Sequence, residues 1–132
     1  MTPTAFDASQ ELDAQERDGI LYLTIQREQR RNAISPAVMA KLSEELAHAN
    51  ANRGLRAIVI TGAGDKAFCA GADLQTGQSF RFDYAEPTQS FANLLRLSRQ
   101  LTIPLVARVN GACMAGGMGL MAMCDLVVAA PH

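Results

Sequence analysis

The sequence predicts an α/β fold, and three observations carry that reading. Short apolar runs recur at Ile20–Ile25, Ala57–Thr61, Pro104–Val109 and Asp125–Ala129, each of strand length. Segments with helical apolar spacing lie between them, so strand and helix alternate along the chain. The run Ala57–Thr61 is apolar almost throughout, as a parallel strand buried on both faces should be, and parallel neighbours imply right-handed crossovers.

Residues 1–18 are polar and aperiodic and read as a flexible N-terminal arm; residues 19–132 read as the folded part. The first strand, from Ile20, is β-branched and apolar. Ser35-Pro36 then has the form of an N-cap followed by proline at the first helical position. Val38, Leu42, Leu46 and Ala49 follow on one stripe of an amphipathic helix, which Asn52 to Gly54 end. After the second strand comes a glycine-rich loop, Gly62 to Asp73, and then a polar stretch from Gly77 to Tyr84. Glu86-Pro87 opens a second helix with Phe91, Leu94, Leu95, Ser98 and Leu101 on one face and Arg96 and Arg99 outside. The third strand starts on Pro104, where a strand tolerates proline. A second glycine-rich turn, Asn110 to Gly119, leads into a small-residue helix through Leu120-Met121-Ala122-Met123 and then the fourth strand. There is no internal repeat of fixed period. The chain stops at Pro131-His132, directly after a strand, where a parallel sheet still needs a covering layer, so it reads as truncated at the C-terminus.

Composition narrows the function classes. The chain has 132 residues, with 48% hydrophobic, 19% charged and a formal net charge of −1. That is the composition of a domain with a real core, and it excludes a disordered regulator or a strongly basic nucleic-acid binder. Aromatic residues are 5% and tryptophan is absent, which argues against a base-stacking platform. No apolar run approaches the ~20 residues of a membrane span, and Met1 to Gln15 has no basic or apolar leader pattern. Cys69, Cys113 and Cys124 are widely and unequally spaced, giving neither a disulfide framework nor a zinc pattern. They read as reduced core thiols in a cytoplasmic protein.

The two glycine loops each follow a strand, where unpaired backbone N–H groups cradle a phosphate, a carboxylate or a developing oxyanion. Neither loop has the phosphate-loop spacing, since Gly117 rather than lysine follows Gly116. Neither has the dinucleotide fingerprint, since position 67 is alanine after Gly62 and Gly64. A nucleotide-binding domain is thus the weakest functional reading. Glycines that merely allow close helix-on-strand packing are the structural one. Two loops aimed at one point from adjacent strands would supply two convergent backbone donors, the geometry of an oxyanion hole.

A resemblance then narrows the choice. Arg31-Asn32-Ala33-Ile34 is followed by Ala67-Phe68-Cys69-Ala70-Gly71-Ala72-Asp73-Leu74. After these come Val109-Asn110-Gly111 with Gly116-Gly117, and Cys124-Asp125-Leu126. In this order and spacing the blocks resemble the enoyl-CoA hydratase/isomerase (crotonase) family from Gly19 to the last residue. The resemblance implies a spiral of repeated β-β-α units rather than a doubly wound sheet, with residues 19–132 as the N-terminal part of an acyl-CoA-binding domain. It also implies an acyl-CoA or enoyl-CoA substrate from fatty acid metabolism and a homotrimer or hexamer in the full-length form. Coenzyme A belongs to the substrate, and no separate cofactor, metal, nucleic acid or membrane is expected.

Residue by residue, the backbone N–H groups of Ala72 and Gly116 match the family's two oxyanion donors. Ala70, Asp73 and Leu74 match the segment lining the pantetheine and adenine of CoA, and Ala33 with Arg31 matches the opposite wall. Arg31 faces either a CoA phosphate or solvent. The pattern departs at Gly119, where two-glutamate hydratases carry the first glutamate; no carboxylate stands between Val109 and Cys124. The second family glutamate would fall beyond His132. Relatives lacking the first glutamate perform hydration on branched or carboxylated substrates, isomerisation or other enolate chemistry.

Other titratable groups are poor substitutes. His48 lies on the polar side of the first helix and His132 is the last residue. Asp73 is read as bracing its loop, because a fixed anion would oppose an enolate, and Asp125 as fixing the turn before its strand. Cys69 and Cys113 have no neighbouring base in sequence to activate them. Met114, Met118, Met121 and Met123 read as pliable packing around the short helix. The leading reading is an enoyl-CoA hydratase or isomerase; the alternative is a catalytically inactive acyl-CoA-binding or partner-binding remnant.

Overall fold

The computed structural model of the protein describes residues 10–71 and 90–129. Its elements in chain order are β1 (Leu12–Arg17), β2 (Ile20–Ile25), a 3-10 turn (Glu28–Arg30), α1 (Pro36–Ala49), β3 (Ala57–Gly62) and β4 (Ala67–Cys69). Then follow α2 (Ser90–Arg99), β5 (Leu105–Val109), β6 (Ala112–Cys113), α3 (Gly116–Ala122) and β7 (Leu126–Ala129). The main sheet has the order β1-β2-β3-β5-β7, and β4 pairs with β6 in a separate two-stranded sheet. Among the described residues the β1–β2 pair alone is antiparallel; β2–β3, β3–β5, β5–β7 and β4–β6 are parallel. The return from β2 to β3 passes through α1, and the two later returns pass through a short strand of the second sheet and a helix: β3-β4-α2, then β5-β6-α3. This is the expected spiral of β-β-α units.

The reading of residues 1–18 as a loose arm fails for Leu12–Arg17, which form β1 in full register with β2, from Leu12↔Ile25 to Arg17↔Ile20. The strand carries only two inward apolar residues, buried Leu12 and half-buried Ala14, too few for a clear alternation. The turn was the available signal: Asp18 and Gly19 have φ of +53° and +80°, the two left-handed residues of a tight hairpin that an Asp-Gly pair favours. The glycine loops also differ from plain turns, since β4 and β6 lie inside them. Two- and three-residue strands are too short to show periodicity.

Helix α1 forms as its residues dictate. The Ser35 side chain accepts the Val38 N–H at 3.1 Å and Pro36 opens the first turn. Val38, Leu42, Leu46 and Ala49 are buried, with Met39 beside them. On α2, Leu94 is fully buried and Phe91 and Leu97 pack against the core, as does Leu101 just beyond the helix. Leu97 takes the place expected for Leu95, which is 37% exposed. The polar stretch Gly77–Tyr84 and the helix opening at Glu86-Pro87 lie outside the described residues.

The core is formed by the inward residues of β2, β3 and β5 against α1 and α2, with Leu23, Ile25, Ile58, Ile60 and Leu105 almost wholly shielded. By contrast β7 is exposed along its length, with Leu126, Val127 and Val128 at 61%, 47% and 60%. Met121 and Met123 pack against the core as read from sequence, whereas Met114 and Met118 are exposed. Ile60, central in the sheet and fully buried, should lose about 2–5 kcal/mol of stability on substitution by alanine. Lys41, whose exposed pairing with Glu45 spans 3.4 Å along α1, should lose no more than about 0.5 kcal/mol on the same change. Denaturant unfolding of both variants checks the contrast.

Candidate active site

Strands β3 and β5 are parallel neighbours, so the glycine loops that follow them leave the same end of the sheet. The loops then run side by side as β4 and β6, with Ala67 opposite Ala112 and Cys69 opposite Cys113. Two buried asparagines hold them there. Asn110, just after β5, accepts the Gly62 N–H at 3.1 Å through Oδ1 and donates through Nδ2 to the carbonyls of Gly64 (2.8 Å) and Ala67 (3.1 Å). Asn32 donates through Nδ2 to the carbonyls of Ala63 (3.1 Å) and Ala67 (2.8 Å), while its Oδ1 accepts the Arg27 N–H at 2.9 Å. Asn32 does this from a left-handed backbone, φ +56°, a conformation that asparagine tolerates better than most residues. Neither side chain had a role in the sequence reading. Their signal was type and place: an amide beside a glycine loop both donates twice and accepts, which suits backbone bracing.

Three of the expected wall residues, Arg31, Ala33 and Ala70, lie together beside the first loop. The Ala70 N–H donates to the Arg31 carbonyl at 3.1 Å, and the Ile34 N–H to the Gly71 carbonyl at 2.7 Å. This stitches Arg31-Asn32-Ala33-Ile34 alongside Ala70-Gly71. Ala33 is buried, and its carbonyl accepts Arg27 Nη1 at 2.6 Å. Arg31 is exposed and lines a hollow of about 290 Å³ with Lys66, Glu28 and Asp65. The two cations there face two carboxylates, so the hollow carries charge of both signs.

The second loop ends at α3. Met114 N–H donates to the Cys69 carbonyl at 3.1 Å, tying the loops once more. Ala115 then adopts φ +49° and ψ −120°, a left-side conformation that a non-glycine residue holds only under constraint. That turn starts α3 at Gly116. The next two amides are occupied: Gly117 donates to the Met114 carbonyl at 2.8 Å and Met118 to the Ala115 carbonyl at 2.9 Å. The Gly116 N–H is among those a helix cannot satisfy within itself. Gly117 must lack a side chain, since a Cβ there would meet the Cys69 carbonyl oxygen at 2.2 Å. Gly71, at φ +116°, brings the first loop to the same point: a Cβ on it would stand 3.7 Å from the Gly116 nitrogen. Ala72, Asp73 and Leu74 themselves lie outside the described residues.

The chemistry on offer here is main-chain hydrogen-bond donation to an oxyanion or a carbonyl. Among the described residues no group of three acidic, histidine or cysteine side chains is arranged to hold a metal. All three cysteines are free. Burial pushes the thiols of Cys69, Cys113 and Cys124 up, away from the nucleophilic thiolate. Cys69 is buried as expected, but Cys113 and Cys124 are only half-buried. Asp125 braces the turn before β7, its Oδ2 accepting the Leu105 N–H at 2.8 Å and its own N–H donating to the Leu105 carbonyl at 2.7 Å. His48 is exposed on α1.

Substituting Asn110 by alanine leaves the Gly62 N–H and the Gly64 carbonyl without their side-chain partner. Gly62 is buried whereas Gly64 is exposed and can turn its carbonyl to water, so at about 1–3 kcal/mol per buried unsatisfied group the variant should lose about 1–3 kcal/mol in denaturant unfolding. A second expectation concerns alkaline pH. Burial, with the Asp125 charge adding to it, pushes the Cys124 thiol from 9.0 up to about 12. The fold thus favours the protonated thiol, and this stabilisation is complete below the unfolded value and declines as pH rises from about 9 toward 12. Cys124→Ala should flatten that alkaline decline, measured as the unfolding midpoint across pH.

A family model described as enoyl-CoA hydratase/isomerase matches residues 15–132. The chain is 35% identical over 117 residues to a probable enoyl-CoA hydratase, echA6, of Mycobacterium leprae, covering 86% of this chain and 45% of the relative. It is 33% identical over 108 residues to the putative enoyl-CoA hydratase/isomerase YngF of Bacillus subtilis, covering 81% and 42%. Among solved structures, the enoyl-CoA hydratase EchA1 of Mycobacterium marinum superposes with a TM-score of 0.76 at 33% identity, covering 92% of this chain and 46% of that one. The chain spans somewhat under half the length of these curated relatives. No helix among the described residues is long and apolar enough to cross a membrane. With the family model matched over residues 15–132 and this likeness in sequence and fold, the chain belongs to the enoyl-CoA hydratase/isomerase family.

Proposed function

We propose that this chain binds the thioester of an acyl-CoA and stabilises its enolate through the backbone N–H groups of Ala72 and Gly116, as part of an enoyl-CoA hydratase or isomerase. The observation that carries the reading is the convergence of the two glycine loops: Gly71 abuts Gly116, whose amide stands free of the helix's own hydrogen bonds. A thioester carbonyl accepting both N–H groups gains most when its oxygen becomes the enolate oxygen, because fixed dipoles need no reorganisation as charge develops. Removing one such donor typically costs ~10²–10³ in rate. Main-chain donors also account for the small residues at these positions, where a side chain would only obstruct the carbonyl.

In this reading Ala70, Asp73 and Leu74 line one side of the pantetheine and adenine, with Ala33 and Arg31 on the other. Arg31 pairs with a CoA phosphate at the rim of the hollow it shares with Lys66. Asp73 braces its own loop. Coenzyme A enters as part of the substrate, not as a resident cofactor. Gly119 brings no carboxylate to the acyl group, so proton transfer is assigned to a group outside the described residues. The full-length protein is assigned a trimeric or hexameric state in the cytoplasm.

The test is binding and turnover by the full-length protein. It should convert trans-2-butenoyl-CoA, and should bind that thioester at least about tenfold more tightly than S-(2-butenyl)-CoA, the thioether that lacks the carbonyl, as expected for a lost carbonyl–N–H pair. Equal affinity for thioester and thioether would remove the oxyanion hole from the reading.

A further inference from the structure

The hollow of about 290 Å³ beside Arg31 holds an anion of the chain's own. Glu28 opens the 3-10 turn and Arg31 closes it, the Arg31 N–H donating to the Glu28 carbonyl at 3.0 Å. Both side chains line the hollow, and Lys66 lines it from the loop after β3. The Lys66 backbone is held in turn by the second loop, since the Ala112 N–H donates to its carbonyl at 3.0 Å. Neither Arg31 nor Lys66 makes an ion pair with a described carboxylate. Glu28, though exposed, lies against the main chain: a Cβ on Gly64 would stand 2.9 Å from its Cδ and 3.5 Å from its Cγ. Gly64 is itself anchored, its carbonyl accepting Asn110 Nδ2 at 2.8 Å. The open face of Gly64, two residues from Lys66, is thus taken by a carboxylate.

We infer that Glu28 is an internal competitor for the 3′-phosphate of CoA: its carboxylate offsets Arg31 and Lys66 in the free protein and gives way when the phosphate binds. The inference rests on the proposed reading in which Arg31 meets a phosphate of CoA. Two cations on framework-held backbone suit a phosphomonoester, which carries a charge of about −1.5 to −2, better than the singly charged groups of a diphosphate. Arginine pairs with its oxygens in a fork and lysine adds a point charge. A carboxylate in the same hollow repels that dianion and shields the cations from it. Across roughly 6 Å of water-like surroundings, one such charge changes the affinity for a dianion by about three- to tenfold. Asp65 lines the hollow too, but the atoms nearest the open face of Gly64 are those of Glu28. The carrier end of the ligand is thereby held less tightly than its two cations alone would hold it, which speeds release of a product that keeps the same carrier.

Calorimetric titration of the full-length protein with free CoA and with 3′-dephospho-CoA tests this, since the two differ only in the phosphomonoester and neither is turned over. Glu28→Gln, a nearly isosteric change at an exposed side chain, should tighten CoA by about three- to tenfold and 3′-dephospho-CoA by less than about twofold. Glu28→Ala should act in the same direction. The gain for CoA should shrink as salt rises from about 0.05 M to about 0.5 M, where screening reaches only a few ångströms. Glu45→Gln on α1, which removes the same charge from outside the hollow, should leave the ratio of the two affinities unchanged. A ratio that stays within about twofold of wild type in both Glu28 variants, or that Glu45→Gln moves equally far, would overturn the inference. A wild type that binds neither CoA nor 3′-dephospho-CoA would instead overturn the CoA reading on which it rests.

Discussion

One carbonyl oxygen, that of Ala67, accepts amide hydrogens from both Asn32 and Asn110, and the candidate site depends on that junction. Asn32 belongs to the segment between β2 and α1, Asn110 to the end of β5, and Ala67 to the loop after β3. Three regions distant in sequence are thus fastened at one buried point. Because the partners are mostly backbone groups, an unmade bond would leave a buried donor or acceptor with nothing else to pair with. The paths of the glycine loops follow from it. With Ala67 fixed, β4 pairs with β6, Cys69 meets Met114, and Gly71 arrives beside Gly116.

The site so assembled is made of main chain. That explains both its tolerance and its strictness. Alanine and glycine occur where a side chain would block the approach of one loop to another, as at Gly117 against the Cys69 carbonyl. The strained backbone at Ala115 is held between the β6 bond to Cys69 and the first turn of α3, so local strain is offset by the surrounding framework. Further along α3, the ring of Phe91 from α2 lies against Gly119.

The outer face of the sheet shows the opposite character. Strand β7 pairs with β5 through Val106↔Leu126 to Val109↔Ala129, yet its side chains stay largely exposed. Its apolar composition was plain in the sequence, and it led to the expectation of a covering layer. The relatives match this chain over somewhat under half their own length.

Sequence alone determined the α/β class, the run of β2, α1, β3, β5 and β7, the Ser35 cap, and the family through its blocks around Asn32, Ala70 and Gly116. These are local properties: apolar periodicity, capping chemistry and the spacing of small residues are all written along the chain. Tertiary structure decided the rest. It made β1 a strand by pairing it across an Asp-Gly hairpin, and placed β4 and β6 in loops too short for any pattern. It turned Leu97 rather than Leu95 toward the core. It also gave Asn32 and Asn110 a common acceptor and set Phe91 upon Gly119. Each of these depends on the distance between residues far apart in sequence, and that distance exists only once the sheet has brought β2, β3 and β5 side by side.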